Sequence, residues 1–195
     1  MCSSNKKDEF LGNRFTEALI YATRLHTRQT RKRSSVPYIA HLLGVTALVL
    51  EDGGDEDETI AALLHDAVED QGGLDTLAEI KEKFGEKVAT IVLEVSDSTS
   101  QPKPPWKERK VAYIESIRGA SPSAIRVSLA DKVYNARSIL RDLHLEGEHA
   151  WDKFNGGKQG TIWYYEQLLI EFSRCSSSPL LLELEHSIRE IKSLA

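Results

Sequence analysis

Residues 59–70, TIAALLHDAVED, decide how the rest of the chain is read. From Thr59 to Val68 nearly every position is apolar, the pattern of a helix central to a core, and Gln71-Gly72-Gly73 supplies its stop. Four polar side chains, His65, Asp66, Glu69 and Asp70, gather at the end of that helix. At 3.6 residues per turn Glu69 lies one turn from His65 and Asp66, and Asp70 one turn from Asp66, so all four are expected on adjoining parts of one helix face. A helix C-terminus bears negative partial charge, so three carboxylates there cost stability unless a cation compensates them, as a bound divalent metal would. Taken alone, the stretch reads equally as a solvated acidic helix end with an incidental histidine.

Working outward, helix follows helix, and no alternating run of β-branched residues bounded by turn signals interrupts them, so an all-α fold is expected. Upstream, Phe15, Leu19, Ala22 and Leu25 recur at helical spacing in a helix over about residues 10–29. Pro37 suits the first turn of a second helix that runs to Gly53-Gly54. Downstream, 74–84 and 86–95 read as two helices split at Gly85. Ser96 to Pro105, with three prolines, reads as a long loop and a candidate lid. Trp106 resumes the helical pattern, and further helices are expected over about 122–143, 161–174 and 179–194, the first burying Leu129, Val133, Ala136 and Leu140. There is no internal repeat and no convincing linker. A single domain over 1–195 is therefore expected, with a core over about 10–145 and a C-terminal helical extension over about 146–195.

With 41% apolar and 28% charged residues, the 195-residue chain has a globular composition and can bury a core without staples, which excludes disorder and collagen. Cys2 and Cys175 have neither CxxC nor zinc-finger spacing, and the N-terminal MCSSNKKDEF lacks an apolar signal core, so a reducing, cytoplasmic location is expected. No stretch approaches a bilayer span. The formal charge of −5 argues against nucleic acid or anionic membrane as a partner of the chain as a whole. That charge is unevenly spread. Between Ala18 and Leu50 there is no Asp or Glu, whereas Arg24, Arg28, Arg31, Lys32 and Arg33 all lie there. Forked guanidinium groups grip phosphate oxygens in pairs. A basic patch without interleaved aromatics, in an otherwise acidic chain, suits a small polyphosphate better than a nucleic acid. Lys103, Lys107, Arg109 and Lys110 form a second basic group around the proline-rich loop.

His41, inside an otherwise apolar helix, and Asp131, where a charge interrupts an amphipathic one, are candidates to complete a metal site with His65 and Asp66. Singly, each reads as readily as a hydrogen-bonded core histidine or a salt-bridged aspartate. Together the four offer two imidazoles and two carboxylates, a mixed set that suits Mn²⁺, Fe²⁺ or Zn²⁺, with Mn²⁺ favoured by a preference for hard ligands. Such a metal acidifies water and polarises a phosphoryl oxygen. Glu69 and Asp70, a turn beyond, are placed to take a proton from that water or to orient it. Asn135 and Ser138 fall with Asp131 on one polar strip of their helix, as a nucleotide-facing surface requires, though Ser138 reads equally as plain surface.

The order His41, His65-Asp66, Asp131 resembles the HD superfamily of metal-dependent phosphohydrolases, and the resemblance extends further. RKRSSVPYIAH (31–41), ALLHDAVED (62–70), ERK (108–110) and VSLADKVYNAR (127–137) are similar in order and spacing to the hydrolase domain of RelA/SpoT proteins, and most of all to the stand-alone small alarmone hydrolases. The similarity covers about residues 10–145. It implies an all-α HD-type bundle and Mn²⁺-dependent removal of the 3′-pyrophosphate of guanosine tetra- or pentaphosphate, without a synthetase domain. Residue by residue, it implies His41, His65, Asp66 and Asp131 as metal ligands and Glu69-Asp70 as the acidic pair beside the reactive water. It also implies Arg31, Lys32 and Arg33 as the basic loop and Asn135 as a nucleoside contact. Ser35, Leu42 and Gln71 stand where the family usually has glycine, proline and threonine, and none of the three is a ligand position.

The chain is thus expected to be an enzyme acting on a small guanosine polyphosphate. Two alternatives stay open. One is an HD phosphohydrolase of another nucleotide or of a nicotinamide dinucleotide phosphate, because pocket walls choose the base. The other is a non-catalytic alarmone sensor, which the presence of Glu69 and Asp70 disfavours. Beyond about Leu143 the resemblance carries over least. The aromatics near 154–165 read as base-stacking, core or oligomer contacts, and the sequence leaves the oligomeric state open.

Overall fold

The apolar run forms a helix, Glu56–Leu64, in a computed structural model that describes residues 10–99 and 102–195. Along the chain the helices are α1 (Asn13–Leu25), α2 (Ile39–Glu51), α3 (Glu56–Leu64), α4 (Ala67–Gln71) and α5 (Gly73–Phe84). They continue as α6 (Glu86–Val95), α7 (Trp106–Ser116), α8 (Pro122–Glu146), α9 (Gly157–Cys175) and α10 (Pro179–Leu194). Short 3₁₀ turns at Ile117–Gly119 and Gly147–Lys153 flank α8. The fold is all-α. Among the described residues the one extended pairing is an isolated antiparallel bridge between Thr30 and Pro37.

α3 starts where it does because Asp55 and Glu58 form a capping box: the Asp55 carboxylate accepts from Glu58 N and the Glu58 carboxylate from Asp55 N, both at 2.9 Å. Glu56, Asp57 and Glu58 in its first turn also suit the positive end of the helix dipole. Every residue from Glu58 to Leu64 is buried, and α3 packs against α1, α2, α6 and α8. Ile60, Leu63 and Leu64 are fully buried, each burial worth about 1.5–3 kcal/mol. Buried Glu58 is matched by Arg126 of α8 at 2.7 Å, and the same guanidinium reaches Asp52 at the end of α2 at 3.0 Å. Asp52 in turn accepts from Ser178, the N-cap of α10, so one ion cluster joins α2, α3, α8 and α10.

Two helices end earlier than periodicity predicts, and in both a side chain takes a backbone carbonyl. The central helix does not continue to Asp70. His65 Nδ1 donates to the Ala62 carbonyl at 2.8 Å, the acceptor a continuing helix would offer to the Asp66 N–H, and Asp66 adopts φ −95°, ψ −2° before α4 begins. The expectation of His65, Asp66, Glu69 and Asp70 on one face of one helix is therefore corrected. The first helix stops at Leu25 rather than Gln29, and just past its end the Thr27 hydroxyl lies 2.8 Å from the carbonyls of both Thr23 and Arg24. The turn that follows carries His26 and Gln29.

α8, of 25 residues, spans roughly 37 Å at the α-helical rise. Ser121 caps it by accepting from Ala124 N at 3.2 Å, with Pro122 in the first turn. α10 lies along α8, and α9 contacts α7, α8 and α10. α9 begins at Gly157, earlier than expected. The glycines of its start have a packing reason: a Cβ on Gly156 would lie 2.6 Å from the Trp106 indole. Of the two cysteines, Cys175 is exposed and unpaired, and Cys2 lies outside the described residues. Among the described residues no helix is long and apolar enough to cross a membrane.

α2 meets α8 at Gly44, where a Cβ would fall inside the Tyr134 ring. That ring is held by its hydroxyl on the Ala40 carbonyl at 3.2 Å and by contact with His41, 5.1 Å between centroids. Gly44→Ala gains about 1 kcal/mol of helix propensity but must displace a pinned ring, an overpacking cost of about 1–3 kcal/mol. A net fall in Tm is expected in thermal denaturation, at about 2–4 °C per kcal/mol. Adding Tyr134→Ala should lower Tm less in the Gly44→Ala background than in the unaltered chain.

Candidate active site

The break after α3 turns His65 and Asp66 inward toward His41 of α2 and Asp131 of α8. His41 Nε2 lies 3.3 Å from His65 Nε2, 3.4 Å from Asp66 Oδ2 and 3.2 Å from Asp131 Oδ1. His65 Nε2 lies 3.0 Å from Asp66 Oδ2 and 3.6 Å from Asp131 Oδ1. The two histidines and Asp66 alone offer ligand atoms within 4.8 Å of one another, a set that can hold a metal ion. The Ala62 carbonyl can only accept, so the proton of neutral His65 sits on Nδ1 and its Nε2 lone pair faces the cluster, the arrangement metal-ligating histidines show.

Each carboxylate has further donors. Tyr38 OH donates to Asp66 at 2.5 Å, while Asn135 Nδ2 and Lys132 Nζ each reach Asp131 at 2.6 Å. Burial alone would raise both acids and lower His65. The imidazoles instead hold Asp66 well below the usual carboxylate range, and Lys132 and the imidazoles do the same for Asp131. Asp66 and Asp131 in turn hold His65 well above its ordinary value. A proton thus balances the cluster, and a divalent cation would take its place.

Glu69 and Asp70 lie beyond the break, and Asp70 lines an adjoining cleft. Glu69 Oε1 accepts from Lys103 Nζ at 2.8 Å and lies 3.9 Å from Arg109 Nη1. Asp70 accepts from Gln29 Nε2 at 2.8 Å and lies 3.5 Å from Lys103 Nζ. The cation expected to compensate these acids is therefore in part Lys103, brought by the proline-rich loop. Residues 100 and 101 of the lid expected there are outside the described residues.

The cleft has a volume of about 880 Å³, within the range of small-molecule sites. Arg31, Lys32, Arg33, Lys110, Lys132, Arg141 and Lys153 face it, against Asp70, Asp142 and Glu146. Arg31 Nη2 donates to Asn135 Oδ1 at 2.7 Å, Lys32 to Asn155 at 2.8 Å, and Arg33 to the Asp152 carbonyl. Ser138 lines the wall, its hydroxyl on the Tyr134 carbonyl at 3.1 Å. Arg24 and Arg28 are exposed and away from the cleft. Trp106, Phe154, Tyr164 and Tyr165 complete the wall, which gives the region beyond 145 a place in the cleft, a position its sequence had left open among three readings. Reasoning from sequence also missed Tyr38 and Gln29. Tyr38 stands three residues before His41, so spacing from that histidine could have found it. Nothing in the sequence tied Gln29 to Asp70.

This geometry agrees with the comparisons with known proteins. The HD domain family matches residues 18–162, and the chain belongs to that family. It is similar to the human guanosine-3′,5′-bis(diphosphate) 3′-pyrophosphohydrolase MESH1, with 41% identity over 64% of this chain and 69% of the relative. It is similar to the Drosophila melanogaster MESH1 at 31% over 91% of this chain and 94% of the relative. A solved structure of a metazoan ortholog of SpoT that hydrolyses ppGpp superposes with a TM-score of 0.77 and 29% identity, covering 94% of this chain and 98% of that one.

The charge balance fixes a pH dependence. His65 is raised, so its contribution to the metal-free fold is full below its unfolded value near pH 6.5 and lost as pH rises through the folded value. Asp66 and Asp131 are lowered, so theirs is present above about pH 4 and lost as pH falls through their folded values. Thermal denaturation of chelator-stripped protein should show Tm declining on the alkaline side, and saturating divalent metal should remove that decline. A flat alkaline limb without metal would refute the protonated cluster.

Proposed function

We propose that the chain hydrolyses the 3′-pyrophosphate of guanosine tetra- or pentaphosphate, with His41, His65, Asp66 and Asp131 holding a Mn²⁺ ion. The observation that carries this reading is a continuous link from the basic loop to the cluster: Arg31 donates to Asn135 at 2.7 Å, and Asn135 donates to Asp131 at 2.6 Å. A phosphate gripped by Arg31 sits one amide away from the proposed metal ligands. The activity of the MESH1 relatives supports the same substrate. Two imidazoles, each with its Nε2 3.0–3.6 Å from both carboxylates, fit a divalent ion of intermediate hardness once the cluster's proton is released. When bound, it supplies Lewis acidity toward water and the phosphoryl oxygens.

The chain's own residues do the rest. Arg31, Lys32 and Arg33 bind the phosphates as charge-assisted donors. Asn135 and Ser138 face the nucleoside from α8, and residues 147–165 close the opposite wall, so the working unit extends past the core expected over 10–145. Glu69 and Asp70 orient water and take its proton. The water oxygen bonds to the phosphorus on O3′, the bond from that phosphorus to O3′ breaks, and O3′ leaves as a hydroxyl, its proton replacing the one the acidic pair removed from water. Guanosine tetraphosphate and water thereby give GDP and pyrophosphate. Lys103 must loosen its hold on Glu69 for that carboxylate to accept a proton, and an incoming phosphate competes for the same ammonium.

The test is anion-exchange analysis of products from chelator-stripped protein with guanosine tetraphosphate, with and without Mn²⁺. GDP and pyrophosphate are expected when Mn²⁺ is present. Glu69→Gln and Asp70→Asn should each lower kcat by about 100-fold or more, with bound metal per chain unchanged by elemental analysis. Full turnover in both variants would remove the acidic pair from the mechanism. Binding of the alarmone without products would replace the enzyme with a sensor.

A further inference from the structure

Asp70 is held by a short hydrogen-bonded chain that begins outside the proposed reaction centre. Gln29 Nε2 donates to Asp70 Oδ2 at 2.8 Å. A carboxylate needs a donor, so the Gln29 amide must present its nitrogen to Asp70 and its oxygen to the other side. That oxygen lies 2.7 Å from His26 Nδ1 and 2.5 Å from Gln71 Nε2. It can only accept, so His26 carries its proton on Nδ1. Gln71 Nε2 is 3.4 Å from the same imidazole nitrogen and gives its proton to the nearer Gln29 oxygen.

Three further observations fit a dedicated role. His26 is buried at 3% exposure, and its Nε2 makes no hydrogen bond among the described residues. Retaining an imidazole with one buried nitrogen unpaired costs stability that an apolar ring would not. Burial pushes His26 below its ordinary value, which keeps the single-proton form the chain requires. The ring also stacks on Tyr38, with centroids 5.3 Å apart and planes 19° apart, and Tyr38 holds Asp66. Tyr38 N donates to the Gln29 carbonyl at 2.9 Å, so one turn between α1 and α2 sets both acids.

We propose that His26 and Gln29, with Gln71, form a clamp that fixes the Asp70 carboxylate toward the cleft, His26 acting as a positioning residue through its Nδ1–H. The inference rests on the proposed role of Asp70 in the reaction. Without the His26 donor, the Gln29 oxygen keeps Gln71 as its one remaining partner, so the amide is held less firmly and the Asp70 carboxylate loses part of its fixed orientation.

The experiment sets two substitutions against each other. His26→Phe keeps the stack on Tyr38 and removes the donor, whereas His26→Asn places an amide N–H near the Nδ1 position and gives up the ring. The clamp predicts that kcat for guanosine tetraphosphate falls about tenfold or more in His26→Phe, with KM within about twofold, and that His26→Asn recovers most of it. A stacking role alone predicts the reverse order, and that result would overturn the clamp. Gln29→Leu, at a half-buried position, should match His26→Phe and carries the test if the latter fails to fold. Independently of activity, imidazole ¹⁵N–¹H correlation spectra of the unaltered chain should show the Nδ1–H tautomer for His26, and an Nε2–H tautomer would overturn the clamp. No turnover by the unaltered chain would overturn the reaction and the clamp's role in it. Loss in Asp70→Asn with full turnover in both His26→Phe and Gln29→Leu would overturn the clamp alone.

Discussion

Asp66 and Asp131 place two carboxylates beside two imidazoles at the crossing of α2, α3 and α8. A buried carboxylate is tolerated only where its oxygens meet donors or cations, and breaking one such pairing leaves a charge whose desolvation is unpaid. Much of the architecture around the cluster answers that requirement. Tyr38 and His65 serve Asp66, while Lys132, Asn135 and His41 serve Asp131. To deliver those groups, the turn between α1 and α2 is pinned by the Thr30–Pro37 bridge, and α2 approaches α8 closely enough that only glycine fits at position 44.

The same constraint organises the cleft. A chain with a formal charge of −5 is a poor partner for anions at long range. At physiological ionic strength, however, exposed charges separated by more than about 8 Å are largely screened, so a ligand in the cleft responds to the cations on its wall. Those cations are held by neutral polar atoms as well as by carboxylates. Arg31 and Lys32 rest on amide oxygens and Arg33 on a backbone carbonyl, whereas Lys110 is paired to Asp97 at 3.1 Å. A guanidinium on a neutral acceptor keeps its full charge for a phosphate, whereas Lys103, paired to Glu69, must exchange one anion for another. On the proposed reading, a phosphate that drew Lys103 away would free the Glu69 carboxylate.

Helix positions were legible in the sequence wherever an apolar stripe, a cap or a proline marked them. Gly85 did split α5 from α6, and Pro179 did start α10. The four residues of the cluster were legible because His41 and Asp131 are polar residues in apolar surroundings, and such exceptions stand out. The cleft's far wall was not. Tyr164 and Tyr165 stand where a core helix would also place aromatics, and Trp106 reaches the cleft wall because Gly156 and Gly160 leave room for its indole. Lys103 was visible as a charge, but its ion pair joins residues 34 apart in sequence, and no local pattern encodes that distance.

Periodicity failed in one consistent way. At both premature helix ends a side chain just past the last helical residue bonds carbonyls of the final turn: His65 that of Ala62, Thr27 those of Thr23 and Arg24. A propensity for helix summed over a window is blind to such single bonds, each worth about 1 kcal/mol net. At His65 one bond has two effects. It stops α3 and so swings Asp66 inward, and it consumes the Nδ1 proton and so leaves Nε2 to face the cluster. Had the helix continued, His65 and Asp66 would project about 100° apart and could not place Nε2 and Oδ2 at 3.0 Å from one another with the same ease. The departure from regular structure is thus what assembles the site, as expected where local rules yield to function.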